Sequence, residues 1–210
     1  MEWSLLLNYR EALWQGFLMT VKITVVAGFG AFVLGVVLAC LRQLSLGLFS
    51  PWVGAYVEFM RNLPVVVKVF FLYFALGWDA WTAAWVGLTI HQSAYICDAI
   101  DAGFRSIARE QTEAAWALGH GRIDIFRLVL LPQAWSVSIP SITNQLIEVL
   151  KNSSVAMLIS LQELTFHVQQ IETDTFRGFE AAVVVTAVYV SIAFVISGVA
   201  ARLEKRTALR

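Results

Sequence analysis

Charged side chains are scarce in this 210-residue chain, since Asp, Glu, Lys and Arg make up 14% of it, against about 25% in a typical soluble domain. The 15 basic and 15 acidic residues cancel, so the chain has no general attraction to phosphate, and a nucleic-acid-coating function is excluded. Hydrophobic residues reach 59%. This excludes a disordered chain and leaves too few polar side chains to cover a soluble globule. The composition predicts one domain buried in a lipid bilayer.

Cysteines and the common catalytic motifs are also lacking. Cys40 and Cys97 lie in apolar runs, so neither a disulfide framework nor a structural zinc site is available. The sequence has no G-x-x-x-x-G-K-[ST] phosphate-binding loop and no Gly-Lys pair anywhere, which excludes an ATPase of that class. H-E-x-x-H, C-x-x-C and G-x-S-x-G are absent as well. We therefore expect no catalytic residue, no metal site and no cofactor bound by this chain.

Long charge-free apolar runs are what the sequence has instead. The runs 23–41 and 181–201 contain 19 and 21 residues, and a helix needs about 20 to cross the hydrocarbon core. The runs 80–97 and 128–147 are of similar length, and a fifth, shorter run contains Lys68. We predict an all-α membrane protein with five transmembrane helices, at about 15–41, 62–77, 82–103, 134–159 and 180–201.

The distribution of basic residues predicts the orientation, because positive charge marks the cytoplasmic side of a membrane protein. Four arginines lie between the third and fourth spans, and four basic residues lie in the tail 202–210: Arg202, Lys205, Arg206 and Arg210. The links that fall on the opposite side are mostly acidic. We therefore expect residues 1–14 to form an outer, periplasmic segment and the tail to lie in the cytoplasm.

Glycine and tryptophan have structural interpretations in the spans. Gly28, Gly30 and Gly35 in the first span permit close approach of a neighbouring helix. Five tryptophans near the outer ends of the spans are expected to form an interfacial aromatic belt rather than a ligand cage: Trp3, Trp14, Trp78, Trp81 and Trp85.

The segment 104–132, which the spans leave in water, has the most informative pattern. Good helix formers predict a short helix that ends before Gly119. A second amphipathic stretch follows with apolar side chains at helical spacing, namely Ile123, Phe126, Val129 and Leu130. Pro132 is expected to close the segment before the fourth span. A helix–glycine–helix unit whose apolar face has no partner in its own chain is expected to dock on another protein or to rest on lipid headgroups.

The same segment resembles a known family signature. Glu113-Ala114-Ala115, three residues, Gly119, nine residues and then Val129-x-Leu131-Pro132 are similar to the EAA-x3-G-x9-I-x-LP motif of ABC importer permeases. The resemblance implies a type I ABC importer permease fold, in which this segment is a cytoplasmic coupling helix that enters a cleft of an ATPase subunit. The coupling residues so implied are Glu113, Ala114, Ala115, Gly119, Arg122, Leu131 and Pro132.

Further segments resemble the polar amino acid permeases of the histidine/glutamine/glutamate type, and the resemblance covers most of the chain. They are Gly16 with 20–24, the stretch YVEFMRNLP at 56–64, Gln133-Ala134 and LKNSS at 150–154. The resemblance implies a transmembrane type-1 domain over 15–205. Asn62 and Asn152 are most similar to the glutamate/aspartate branch.

Partners and location are also implied by this resemblance. ATP and Mg²⁺ would be bound by a dimer of partner ATPase subunits and not by this chain. A second permease, identical or homologous, would complete the pathway, and an extracytoplasmic substrate-binding protein would deliver the amino acid. The assembly would lie in the bacterial cytoplasmic (inner) membrane, surrounded by lipid, with no nucleic-acid partner.

Polar side chains at membrane depth are costly, so each is a candidate functional residue. His91, Tyr95, Asp98 and Asp101 form one stripe of the third helix. This stripe either faces the pathway or is neutralised locally, with Asp101 pairing to Arg105 one turn later.

The fourth helix leaves a similar choice open. Lys151 and Asn152 are able to hold a cargo carboxylate, or Glu148 neutralises Lys151 and the serines bond to the preceding turn. Lys68 either attracts an acidic cargo or extends its ammonium to the membrane interface. Arg61 is expected to anchor the start of the second helix. The residues predicted to line the substrate pathway are Lys68, Tyr95, Asp98, Asp101, Glu148, Lys151, Asn152 and Ser153.

The favoured hypothesis is the permease subunit of an ATP-driven importer of polar amino acids. Asn62 and Asn152, together with the two pathway lysines, favour glutamate or aspartate as cargo, whereas the three pathway acids would suit basic amino acids. Two alternatives come from other classes. One is an ion-coupled secondary carrier that uses Asp98 and Asp101 as proton sites, and the other is an interaction protein whose cytoplasmic helix binds a partner that is not an ATPase.

Overall fold

The computed structural model describes residues 5–44 and 48–208, with the side chains of 7–44 and 48–202. Every regular element in these ranges is helical and none is a strand, which confirms the predicted all-α class. Four side chains used for the orientation and the aromatic belt lie outside the described residues: Trp3, Lys205, Arg206 and Arg210.

Ten α-helices occur in the described ranges. In chain order they are α1 (Leu5–Asn8), α2 (Arg10–Leu44), α3 (Ser50–Asn62), α4 (Val65–Phe70), α5 (Ala80–Arg105), α6 (Arg109–Ala117), α7 (Arg122–Asp124), α8 (Leu131–Asn152), α9 (Leu164–Thr175) and α10 (Gly178–Ala208). A π-helical segment, Phe71–Ala75, extends α4, and a second one, Ile125–Leu130, joins α7 to α8. The 3₁₀ segment Ser153–Ile159 extends α8.

Three helical stretches in the described residues are long and apolar enough to cross a membrane: Arg10–Leu44, Arg122–Ile159 and Gly178–Arg202. The 26 residues of α5 rise about 39 Å, but its polar stripe lowers its hydropathy. The apolar stretch Val65–Ala75 rises only about 16 Å, half the thickness of the hydrocarbon core. The five predicted spans thus coincide with five helical stretches, of which three meet the requirements of both length and hydropathy.

The second and third spans begin where local chemistry dictates. Leu63 is extended, with φ −97° and ψ 133°, because it precedes Pro64, so α3 ends there and α4 begins at Val65. The start of α5 is capped by the Asp79 carboxylate, which accepts a hydrogen bond from the Thr82 backbone N–H at 3.0 Å.

The prediction that Pro132 closes the cytoplasmic segment is wrong. Helical structure continues from Arg122 through the π-helical segment into α8, and Pro132 lies in the first turn of α8. The turns before Pro132 are π-helical, and the Leu131 N–H bonds to the carbonyl of Phe126, so the hydrogen-bond pattern already shifts register where the proline enters. The second half of the segment 104–132 is therefore the beginning of a helical stretch that continues as the fourth span.

The helix α5 is central, because α2, α3, α4 and α8 all pack against it. Two clusters of buried apolar side chains follow its length. One lies near the end that carries 104–132, hereafter the coupling end, and includes Ile96, Phe104 and Phe126. The other lies toward the far end of the bundle and includes Ile23 and Leu88.

The expectation of close packing at the first-span glycines is confirmed most clearly at Gly35. A Cβ at Gly35 would stand 2.7 Å from Ile96 Cγ2, and one at Gly30 would stand 3.0 Å from Thr89 Oγ1. At Gly28 the nearest atom would be 3.5 Å away, an ordinary contact. The helices α2 and α5 therefore approach most closely where α2 has no side chain.

Gly103 fixes the contact of α5 with α8, and its substitution tests this packing. A Cβ there would overlap Ser138 Oγ and stand 2.6 Å from the Ala134 carbonyl oxygen. We expect Gly103→Ala to lower the free energy of unfolding by about 1–3 kcal/mol, measured by thermal unfolding of the purified protein in detergent. Gly198→Ala is the control, because a Cβ at that position meets open space. Equal stability of the two variants would contradict the close contact.

Candidate functional site

The first half of the segment 104–132, hereafter the coupling segment, is an exposed helix that ends in a glycine turn. Glu113 is 62% exposed, and its carboxylate lies 2.9 Å from Arg109 Nε one turn earlier in α6. Ala115 is buried, whereas Ala114 on the same helix is exposed. Gly119 has φ +83°, a left-handed conformation that disfavours any side chain. The motif thus presents Glu113 and Ala114 outward while Ala115 packs against the chain.

The second half of the segment packs back onto α5. Ile125 and Phe126 are buried, and the ring of Phe126 stacks on Phe104 at a centroid distance of 5.7 Å. Ile123 and Leu128 remain 65% and 67% exposed. The expectation that the apolar face lacks a partner in its own chain is therefore wrong for this half, because the amphipathic stretch continues into the bundle.

The stripe predicted on α5 splits between two neighbouring helices. Asp101 is fully buried and accepts hydrogen bonds from Arg42 at 2.5 Å and Gln43 at 3.2 Å, both on α2. Arg105 lies instead 3.7 Å from Asp98. The predicted Asp101–Arg105 pair is wrong, since the side chain of Asp101 turns toward α2 rather than along its own helix.

Asp98 and Tyr95 line a polar cleft of about 430 Å³ between α2, α3 and α5. Arg61 Nη1 lies 2.6 Å from Asp98 Oδ2, and its guanidinium stands 5.3 Å from the centre of the Tyr95 ring. Arg61 was assigned only an anchoring role from the sequence. The sequence did mark Arg61 as part of the family-like stretch 56–64, but a position in a motif does not show which side chain is its partner.

Lys68 does not snorkel to the interface, because it is buried. Its ammonium is buried and donates to the carbonyl oxygens of Met60 and Leu63, both at 2.7 Å, and lies 2.8 Å from His91 Nδ1. The last carbonyls of a helix have no intrahelical partner. Lys68 therefore satisfies the end of α3 and ties it to α4 and α5.

On α8 the structure confirms the alternative in which Glu148 neutralises Lys151 and the serines bond to the preceding turn. Lys151 Nζ lies 2.6 Å from Glu148 Oε1, and the two side chains are 61% and 44% exposed. Ser153 and Ser154 donate to the carbonyl oxygens three residues earlier. The predicted pathway residues thus form no single cluster, since Tyr95 and Asp98 share the cleft while Lys151 lines a separate pocket between α8, α9 and α10.

A buried polar cluster around one carboxylate, at the end of the bundle away from the coupling end, was not predicted from the sequence. Its centre is Glu163, an acidic residue of the link between the last two predicted spans, which is fully buried. Its Oε1 accepts from the Phe166 N–H at 2.9 Å, and its Oε2 accepts from the Tyr189 hydroxyl at 2.7 Å and from Thr20 at 3.4 Å. Burial raises the pKa of the Glu163 carboxyl. The cluster joins α2, α9 and α10.

Metal binding has no candidate residues in the described part of the chain. No group of three or more His, Cys, Asp or Glu side chains is arranged there to hold an ion. The sequence motif lies on the exposed helix α6 and the turn after it, and the polar residues of the bundle lie behind it.

Comparison with known proteins identifies the class. Residues 31–209 match the family described as binding-protein-dependent transport system inner membrane component. The probable glutamine ABC transporter permease protein GlnM of Bacillus subtilis (strain 168) is 34% identical, across 97% of this chain and 96% of that protein. The glutamine transport system permease protein GlnP of Escherichia coli (strain K12) is 33% identical, across 98% and 97%. The chain belongs to this family of ABC transporter permeases, whose members are transport subunits.

Solved structures agree with this assignment. The crystal structure of an amino acid ABC transporter with histidines has a TM-score of 0.90 at 27% identity and covers 98% of this chain and 99% of that one. The inward-facing MetNI methionine ABC transporter has a TM-score of 0.82 at 21% identity, covering 95% and 98%, a likeness of fold alone. The predicted type I ABC importer permease fold is confirmed.

The buried carboxyl of Glu163 gives stability a defined pH dependence. Because its pKa is raised in the folded protein, the fold keeps a proton that the unfolded chain has lost, and stability falls as pH rises above the ordinary value of 4.5. We expect the melting temperature of the wild type, relative to Glu163→Gln, to fall between pH 4.5 and 7.5. Glu172→Gln, exposed on α9, is the control and should track the wild type. An opposite trend would contradict the raised pKa.

Proposed function

We propose that this chain is the permease subunit of an ATP-driven amino-acid importer and that α6 docks on a partner ATPase subunit. The observation that carries the proposal is the Glu113-Ala114-Ala115 part of the coupling motif on an exposed helix, with Glu113 turned to solvent and Ala115 buried. Family membership supports it, as do the names of relatives described as glutamine ABC transporter permeases.

Energy would come from the partner, because the sequence has no phosphate-binding loop. ATP and Mg²⁺ would be bound on the ATPase dimer, and closure of that dimer would displace α6. The chain offers two mechanical routes into the membrane. One is the short link from Arg105 to α6, and the other is the continuous helical stretch from Arg122 to Ile159. A displacement of α6 would move these stretches as rigid bodies.

The assembly would include a second permease, identical or homologous, and an extracytoplasmic substrate-binding protein. The Glu148–Lys151 pair supports the second permease, because both side chains are largely exposed on a helix that crosses the membrane. A charged pair at membrane depth requires protein or water rather than lipid around it. We place this face of α8 against the second permease, with the N-terminus outside and the coupling end in the cytoplasm of a bacterium.

The cargo would be a polar amino acid, and uncharged side chains such as that of glutamine suit the chain best. The charges that pointed in two directions from sequence have partners within the chain: Lys151 has Glu148, and Asp98 has Arg61 and, farther away, Arg105. A charge that is already paired attracts a charged cargo side chain less than a single charge would. The glutamine transporters among the relatives support the same class, and it replaces the acidic cargo favoured by the sequence.

The geometry supports an importer over an ion-coupled carrier. Asp98 and Asp101, the two candidate proton sites, each contact an arginine, Arg61 and Arg42 respectively. Both carboxylates are thus engaged in ion pairs inside the protein instead of standing free as carriers of a coupling ion.

If α6 docks on an ATPase subunit, a substitution in the coupling motif should reduce the amount of ATPase that co-purifies with the chain. We expect affinity purification of the chain from its native membrane to recover an ATPase subunit with a phosphate-binding loop, and Glu113→Lys to lose at least about tenfold of it, since one reversed charge at an interface costs several kcal/mol. Mass spectrometry of the eluate gives the measurement.

The control is Glu110→Lys, which makes the same charge change in the first turn of the same helix outside the motif. It should retain the ATPase. Recovery of the ATPase in full with Glu113→Lys would remove Glu113 from the docking surface, and its absence from the wild-type sample would reject the importer.

Cargo selection predicts opposite effects for the two members of the α8 pair. Glu148→Gln leaves Lys151 without its partner and should improve competition by glutamate, whereas Lys151→Ala leaves Glu148 alone and should improve competition by arginine. We expect shifts of about 5- to 10-fold in the inhibition constants against labelled glutamine uptake by the reconstituted complex. Equal inhibition profiles in both variants would place selection on the binding protein.

A further inference from the structure

The last turn of α2 lies beside the coupling segment and is held by it. The last four carbonyls of a helix have no intrahelical partner, and that of Gln43 is one of them. Arg122, the first residue of α7, donates to this oxygen at 3.3 Å. A guanidinium in this position also faces the negative end of the helix dipole. The coupling segment therefore contacts α2 through a directed, charged hydrogen bond.

The side chain of Gln43 continues this contact into the bundle. Its Nε2 donates to Asp101 Oδ1 at 3.2 Å, and Arg42 Nη1 lies 2.5 Å from Asp101 Oδ2. Asp101 is fully buried, while Arg42 remains 30% exposed. A buried carboxylate requires partners for both oxygens, and here α2 provides both of them. The result is a continuous polar chain, the inner bridge, made of Arg122, Gln43, Asp101 and Arg42.

The inner bridge lies where three long helices meet. Asp101 is two residues before Gly103, the position where α5 touches α8 at Ser138 and Ala134. Along the chain, the coupling segment runs directly into α5 and α8, but α2 is reached from it only through space. Close packing at Gly30 and Gly35 already joins α2 to α5. The inner bridge adds a directional contact at the coupling end, since a hydrogen bond depends steeply on angle.

We propose that the inner bridge passes the displacement of the coupling segment to α2, so that α2 moves together with α5 and α8. Asp101 is the positioning residue, because it holds the end of α2 in register with α5. This inference rests on the proposed importer function. Without the bridge, the ATPase still docks and hydrolyses ATP, but α2 lags behind the other helices and less cargo moves per ATP.

The test uses the complete complex of ATPase, permeases and binding protein in proteoliposomes. The main variant is Arg42→Met with Asp101→Leu, an apolar pair that removes the bridge and leaves no unpaired buried charge, a replacement that is often neutral for stability. We expect the same subunit composition and melting temperature, with cargo moved per ATP reduced at least about fivefold. Arg122→Gln should lower the same ratio.

The matched control is Asp79→Asn at the other end of α5. Asp79 caps the first turn of the helix, and asparagine caps about as well, so the cargo-to-ATP ratio should remain at the wild-type value. This control separates the bridge from general effects of removing an aspartate from α5.

Three outcomes would overturn the inference. A wild-type ratio in the apolar pair would show that coupling does not need the bridge. If the cargo-to-ATP ratio falls only in a complex that also melts at a lower temperature or has lost subunits, the Arg42–Asp101 pair has a structural role and not a coupling role. Failure of the unsubstituted complex to take up amino acid with ATP would reject the proposed function itself, and the inference with it. Reduced coupling in an intact, equally stable complex supports the bridge.

Discussion

The structure depends on one constraint, the requirement that a polar group enclosed in an apolar bundle find a partner within the protein. Asp101, Lys68 and Glu163 are all buried, and each is satisfied by a different helix from its own. Because an unsatisfied charge would cost far more than a shifted apolar contact, Asp101 and Lys68 fix α2 and α3 against α5, and Glu163 fixes α10 against α2 and α9. Apolar packing fills the space between these fixed points.

This constraint connects the docking surface to the membrane part of the protein. The coupling segment is both an exposed helix and the start of a long helical stretch, because the π-helical turns before Pro132 carry the chain into α8 without a break. Its apolar half packs on Phe104 of α5, and Arg122 reaches the end of α2. Contacts with α5 and with α2 thus meet at the coupling end, where docking of the proposed ATPase subunit would act on both helices.

Sequence reasoning succeeded where spacing along the chain carries the information. The helical class and the close approach at Gly35 were predicted, and the Glu148–Lys151 pair was one of two alternatives; each rests on a local pattern or a three-residue separation. The prediction failed for Asp101, because Arg105 on its own helix was the expected partner and Arg42 on α2 is the actual one. The contact of Lys68 with the carbonyls at the end of α3 was not foreseen.

By itself the sequence determined where the helices lie, which segment stays outside the apolar runs and which motif that segment carries, because these follow from composition and from contacts between near neighbours. Only the tertiary structure decided which charge meets which. Arg42 and Asp101 are 59 residues apart, and Tyr189 and Glu163 are 26 apart. Their pairing depends on the rotation of each helix about its own axis, which the packing of glycines and apolar side chains sets and which hydrophobic periodicity fixes only coarsely.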